Sequence, residues 1–277
     1  MNELFRYWEE QTGASLQDVL ILRFPKNTLE GKFEIAQILS APTKKILLVY
    51  APNDEGGSRL TKIADEAGLT YEVFSKAHHK LVAVNTGTFN KENIEQWLEA
   101  GALQQVAATG YWSQPGLFSW DEIDKATKLL LENLPDLKGC GADFGCGYGA
   151  LSIPLSQAQS ITHIYAVDKD ARAIEAYKKN AKGKVEALCL DIQKDALPFS
   201  ELDFVVMNPP FHRASQQADI ALGLSFFERA AGVLRAGGEL WAVANQQLPY
   251  EAAAKKYFAT LEIILEKSGY KVLKAIK

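Results

Sequence analysis

Short apolar runs alternate along this chain with longer segments that carry an apolar stripe, the rhythm of strands and helices taken in turn. Residues 19–24 are an apolar run ended by Pro25, and 29–39 follow with helical spacing. Residues 45–50 read as a second strand, 51–57 as a loop, and 58–67 as a helix stopped by Gly68. Strands over 71–74 and 80–85 and a helix over 91–100 come next. From Gly141 the alternation is strict: a strand into Asp143 and Phe144, a helix over 150–156, a strand over 163–167 ending at Asp168, and a helix over 171–181. Residues 185–190 then end at Asp191, and 203–207 end at Asn208. A helix over 219–234 stopped by Gly237 and Gly238, a strand over 239–244, a helix over 250–258, and a hairpin turned by Ser268 and Gly269 complete the pattern. Such alternation predicts an α/β protein with parallel or mixed sheets.

A chain of 277 residues is long enough for two cores. The pattern predicts an α/β domain over 1–105, a linker over 106–120 rich in aromatics and turn formers, and a second domain over 121–277. The loop at 51–57 lacks closely spaced glycines and carries Asp54 and Glu55, which repel an anionic ligand, so the first domain is expected to be non-catalytic. In the linker, Pro115 and Gly116 demand a turn, and Ser119 ahead of Asp121 and Glu122 predicts the start of a helix over 123–133. This segment fits either a plain connection or a side wall over a ligand.

Three cysteines, Cys140, Cys146 and Cys189, lack metal-site spacing, so neither zinc nor a disulfide framework is expected. No signal-like start or long apolar stretch is present, which predicts a cytoplasmic protein with no membrane partner. The net charge is −4 and neither half is basic, so a nucleic acid would be held by a local patch. Lys178, Lys179, Lys182 and Lys184 form such a cluster, or simply a solvated helix end.

Two strand ends carry the candidate chemistry. Gly145, Gly147 and Gly149 directly after a strand let the backbone turn tightly and approach a ligand, with a helix start aimed at it. Gly145, Gly147 and Ala150 also satisfy a dinucleotide pattern, with Asp168 placed to hold a ribose. Asp143 ahead of the loop suits an ammonium, Gly149 comes one residue early for a pyrophosphate, and Asp191 offers an acceptor for an adenine amine. These features favour S-adenosyl-L-methionine. Capping of the following helices remains an alternative role for Asp168 and Asp191.

The second strand end, Asn208-Pro209-Pro210-Phe211, is more specific. Consecutive prolines end a central strand and stiffen the backbone. A planar exocyclic amine becomes nucleophilic when acceptors hold both N–H groups, and the Asn208 side-chain oxygen and the Pro209 carbonyl are suitable acceptors. Phe211 can stack on an extruded base. Arg213 is a candidate phosphate contact and His212 a nearby substrate group.

These motifs, with Pro115-Gly116-Leu117-Phe118-Ser119, Gly238-Glu239-Leu240, Val243-Ala244-Asn245 and Leu248-Pro249-Tyr250, resemble the ribosomal RNA small subunit methyltransferase C family. Phe24-Pro25-Lys26 extends the resemblance more weakly into the first half. The resemblance implies a class I methyltransferase fold, Rossmann-like, with a mostly parallel seven-stranded sheet closed by an antiparallel hairpin. A smaller, degenerate copy of that fold precedes it. It implies methyl transfer to the N2 amine of a guanine in ribosomal RNA or the small ribosomal subunit, without a metal. Asp143, Gly145, Gly147, Gly149, Asp168, Asp191 and Phe118 would hold the cofactor, Asn208, Pro209 and Phe211 would present the base, and Pro210, His212 and Arg213 would touch the substrate. A monomer is the simplest expectation. The same clamp serves adenine N6 and glutamine-amide methyltransferases, and a non-catalytic RNA-binding assembly factor is a further alternative.

Overall fold

The computed structural model of the chain describes residues 2–41, 46–209 and 216–277. Two compact units are present, Met1–Leu103 and Gln104–Lys277.

The first unit holds α1 (Asn2–Thr12), β1 (Val19–Arg23), α2 (Thr28–Ser40), β2 (Ile46–Pro52), α3 (Leu60–Glu66), β3 (Thr70–Lys76), β4 (His79–Asn85) and α4 (Lys91–Gly101). Its four-stranded sheet has the order β1-β2-β4-β3, with β1 parallel to β2 and the other pairs antiparallel. Residues of β2 alternate between the two faces: Leu47 and Val49 pack with Ile35, Leu39, Ile63 and Trp97 of α2, α3 and α4, while Leu48 and Tyr50 meet Leu4, Phe5 and Trp8 of α1. The expected loop after β2 is a helical turn, Asn53–Glu55, and its acidic charge is not bare. Glu55 is paired with Arg23 at 2.9 Å and Lys26 at 2.8 Å. At the end of β1, Phe24 is buried and its ring lies against Gly31, where a Cβ would clash.

The second unit holds β5 (Gln104–Gln105), β6 (Trp112–Ser113), α5 (Lys125–Asn133), β7 (Gly139–Phe144), α6 (Ser152–Ser156), β8 (Ile161–Asp168), α7 (Ala171–Asn180), β9 (Val185–Cys189), β10 (Leu202–Met207), α8 (Gln216–Val233), β11 (Leu234–Asn245), α9 (Tyr250–Ala254), β12 (Thr260–Lys267) and β13 (Tyr270–Ile276). Its seven strands run in the order β12-β13-β11-β10-β7-β8-β9. All neighbours from β11 to β9 are parallel, and β13 and β12 close the sheet antiparallel. The parallel α/β alternation expected from the pattern, and the Rossmann-like seven-stranded sheet implied by the resemblance, are therefore present. Ser268 and Gly269 turn the closing hairpin with positive φ at both positions, the twist-matched two-residue turn.

Chain order reverses at β7: β8 and β9 extend the sheet to one side, β10 and β11 to the other. Ligands of open α/β sheets sit outside the carboxyl ends of the strands at such a switch point. The core sides are consistent with parallel strands buried on both faces. Phe144, Val205 and Met207 pack with Phe227 of α8, and Phe204 and Val206 pack with Leu129 and Leu130 of α5.

Two local expectations are corrected. Gly237 and Gly238 do not stop a helix: α8 ends at Val233, and both glycines lie within β11, where the register against β10 shifts. Ser119 is not a helix cap but has a left-handed backbone, φ 47°. Asp124 caps α5 instead, accepting a hydrogen bond from the Thr127 N–H at 3.0 Å.

Residues 104–120 belong to the second unit. The Asn180 side chain pins them, accepting from Trp112 N–H at 2.7 Å and donating to the carbonyls of Trp112 and Tyr148. The Lys179 ammonium lies over the Trp112 ring, Lys178 meets Glu175, and Lys184 donates to the Ala158 carbonyl, so three members of the basic cluster have partners.

Candidate functional site

A cleft of about 350 Å³ opens at the carboxyl ends of β7, β8, β9 and β10. Its volume lies in the range of small-molecule sites. The register explains why the two candidate strand ends meet there. Asp143 pairs with Val206 and Phe144 with Met207, so the glycine loop and Asn208 leave adjacent strands side by side.

The three glycines of the loop share one reason to be glycine, and Gly149 has a second. Gly145, Gly147 and Gly149 all have positive φ, at 77°, 54° and 98°. Gly145 N–H and Cys146 N–H both reach the Val167 carbonyl, which folds the loop back onto β8. Beside Gly147 there is open space, whereas a Cβ on Gly149 would stand 2.5 Å from Ile153 and 2.9 Å from Tyr177. Gly149→Ala is therefore expected to destabilise the second unit by about 2 kcal/mol, combining strained backbone and overpacking. A drop in melting temperature of about 4–8 °C in calorimetry would show it.

Asp143 is only 1% exposed, and among the described residues neither of its carboxylate oxygens has a formed hydrogen bond. Burial pushes its pKa up to about 7; nearby Ser152 offsets part of that cost, and Asp168 adds to it. A buried, unpartnered carboxylate lining a cleft is poised for a cation.

Asp168 ends β8 and fastens the loop: its carboxylate accepts from Gly147 N–H and from Asp170 N–H, each at 2.9 Å. Its pKa is also raised by burial. The helix-cap alternative fails for Asp168, because Asp170 caps α7. Asp191 follows β9, accepts from Gln193 N–H at 3.0 Å and pairs with Lys194 at 3.4 Å. The Gln193 contact, with help from Lys194, holds its carboxyl below the usual range. Both aspartates line the cleft, as do Leu190 and Ile192, which supply apolar wall. A ligand with a cationic end, hydroxyls and a flat polar ring fits this row of groups.

Phe118 also lines the cleft and is 70% exposed. Leu117, next to it in the lining, is buried. The segment 116–119 is thus a side wall of the cleft.

Asn208 and Pro209 line the same cleft. The Asn208 amide nitrogen donates to Asp124 at 3.1 Å and to the Thr127 hydroxyl at 2.9 Å. Pro210, Phe211, His212 and Arg213 lie outside the described residues. Asp124 and Thr127 are the site residues that sequence reasoning missed. Their signal was present as an Asp-x-x-Thr helix start, but Ser119 competed for the cap. Among the described residues no cluster of His, Cys, Asp and Glu could hold a metal ion, and no helix is long and apolar enough to cross a membrane.

The Methyltransferase small domain family matches residues 109–274. Over 93% of its length the chain is 33% identical to the ribosomal RNA small subunit methyltransferase C of Acinetobacter baumannii strain AYE, covering 79% of that protein. It is 28% identical, over 94% of its length and 75% of the relative's, to the protein of the same name from Escherichia coli O1:K1 / APEC. Among solved structures it resembles the T. thermophilus 16S rRNA N2 methyltransferase determined with AdoMet and guanosine, with a TM-score of 0.75 and 22% identity over 94% of this chain and 73% of that one. With a cleft of this design at the switch point of this sheet, the chain belongs to the ribosomal RNA small subunit methyltransferase C family.

Proposed function

We propose that the protein transfers a methyl group from S-adenosyl-L-methionine to the exocyclic N2 amine of a guanine in small-subunit ribosomal RNA. One observation carries the proposal: the buried, unpartnered Asp143 and the Asn208-Pro209 strand end leave paired strands into one cleft. The names of the relatives, which specify ribosomal RNA of the small subunit, support the substrate class.

The residues present fit the cofactor. Asp143 would face the methionyl ammonium, Gly145 and Gly147 would let the chain approach without a Cβ in the way, Asp168 would hold the ribose hydroxyls, and Asp191 the adenine end. Gly149 would serve by packing the loop, and Phe118 would close the rim. S-adenosylmethionine supplies an activated methyl on a sulfonium, a good leaving group.

The chain's own contribution is alignment and electrostatics. The Asn208 side-chain oxygen and the Pro209 carbonyl accept the two N–H groups of the amine, which localises its lone pair toward the cofactor. Phe211 would stack on the base, with Pro210, His212 and Arg213 contributing contacts to the nucleotide. No side chain with a matched basic pKa is required, since the proton can leave to water after transfer.

The first unit acts in this reading as a non-catalytic companion. The chain that leaves β2 there runs into the turn Asn53–Glu55, with Glu55 paired to Arg23 and Lys26, rather than into a glycine loop of the Gly145-x-Gly147-x-Gly149 kind. All proposed catalytic groups come from the second unit of one chain, so a monomer suffices.

Incubation of the protein with methyl-labelled S-adenosylmethionine and small ribosomal subunits from cells lacking it is expected to label the 16S RNA. Label confined to protein would reject the proposal.

A further inference from the structure

An asparagine offers a donor and an acceptor of nearly the same size and shape, and a clamp for an amine works only if the oxygen is the end presented. Around Asn208 the choice is dictated by its neighbours. The Asp124 carboxylate can only accept, and it stands 3.1 Å from the Asn208 amide nitrogen. Rotating the amide would set its oxygen against a carboxylate oxygen. The Thr127 hydroxyl, on a side chain 6% exposed, takes the second amide hydrogen at 2.9 Å. With both amide hydrogens engaged, the side-chain oxygen of Asn208 is the group left for a ligand: among the described residues it has no hydrogen-bond partner.

The same Asp124 oxygen also accepts the Thr127 N–H that begins α5. One carboxylate therefore ties the first turn of α5 to the end of β10, across 84 residues of chain. We infer that Asp124 and Thr127 are positioning residues that lock the Asn208 amide with its oxygen toward the substrate amine. The inference rests on the proposed amine-methyltransferase reading.

The test separates this role from helix capping. Serine caps a helix as well as aspartate does but carries no carboxylate to reach Asn208. In Asp124→Ser, kcat is expected to fall at least tenfold, while the dissociation constant for S-adenosylmethionine, measured calorimetrically, stays within about twofold and the melting temperature within a few degrees. Thr127→Val keeps the shape and the backbone N–H and is expected to lower kcat in the same manner. The deciding comparison is a double-mutant cycle: adding Asp124→Ser to Asn208→Ala should lower kcat no further, because serine keeps the helix cap and Asp124 acts on the reaction only through Asn208. Additive losses, or wild-type kcat in Asp124→Ser, would overturn the inference. Failure of the unmodified protein to methylate ribosomal RNA would reject the activity itself, an outcome distinct from either.

Discussion

Asn208→Ala is expected to lower kcat by on the order of 10² to 10³, the loss typical of removing one acceptor or donor that is preorganised for a transition state. The reason is local. Asn208 stands at the carboxyl end of a central strand, and its amide is held by Asp124 and Thr127 at 3.1 and 2.9 Å. Its amide is already oriented by these two bonds before the substrate arrives, so its oxygen needs little reorganisation during the reaction. The groups expected to hold the cofactor come from the ends of β7, β8 and β9, with Phe118 from the segment before α5, whereas Asn208 follows β10. Cofactor affinity should therefore stay within a few fold, and the defect should fall on kcat. Steady-state kinetics with saturating RNA, paired with calorimetric titration of S-adenosylmethionine, separates the two. An equal loss of cofactor affinity would mean that Asn208 serves the cofactor instead.

Asp143→Asn is expected to have opposite effects on stability and binding. In the free protein, burial raises the Asp143 pKa from 3.8 to about 7, and the nearby Ser152 offsets only part of that cost. A carboxyl with a raised folded-state pKa favours folding while it is protonated, and that advantage is lost as pH climbs from about 4 through about 7. Above pH 7 the penalty approaches about 4 kcal/mol, at roughly 1.4 kcal/mol per pKa unit. Removing the charge should therefore raise the melting temperature of the free protein at pH 8, by several degrees, with the gain shrinking toward pH 4. The same substitution takes away the partner of the methionyl ammonium and should weaken S-adenosylmethionine binding on the order of 10²-fold. In the unmodified protein, cofactor affinity should rise with pH through about 7 as the carboxylate ionises. Melting curves across pH, alongside titrations, test all of this. A variant less stable than the parent at pH 8 would show that the carboxylate has a partner.

The two strand ends were legible because each breaks a strong local pattern. An apolar run cannot pass through Gly145-x-Gly147-x-Gly149 or through Asn208-Pro209-Pro210 as a strand, so the chain must turn there, at the edge where ligands bind. Their approach to each other depends on register, Asp143 with Val206, which pattern alone does not supply. Helix boundaries were less legible. Ser119 and Asp124 are both good caps, and the outcome depended on tertiary partners: Asp124 gains Asn208 as well as Thr127, while Ser119 turns with a left-handed backbone in the side wall. Helix α1 was missed because its buried face, Leu4, Phe5 and Trp8, is short and only makes sense against the second face of β2. The acidic loop of the first unit was read as repulsive, yet Arg23 and Lys26 neutralise Glu55, partners that lie in a different segment.

The most direct test of the central reading is the identity of the methylated nucleoside. Small ribosomal subunits from cells lacking the protein, treated with it and methyl-labelled S-adenosylmethionine, should yield labelled N2-methylguanosine on complete digestion of the 16S RNA and chromatography with mass detection. Label in N6-methyladenosine would contradict the assignment of the amine that Asn208 and Pro209 hold.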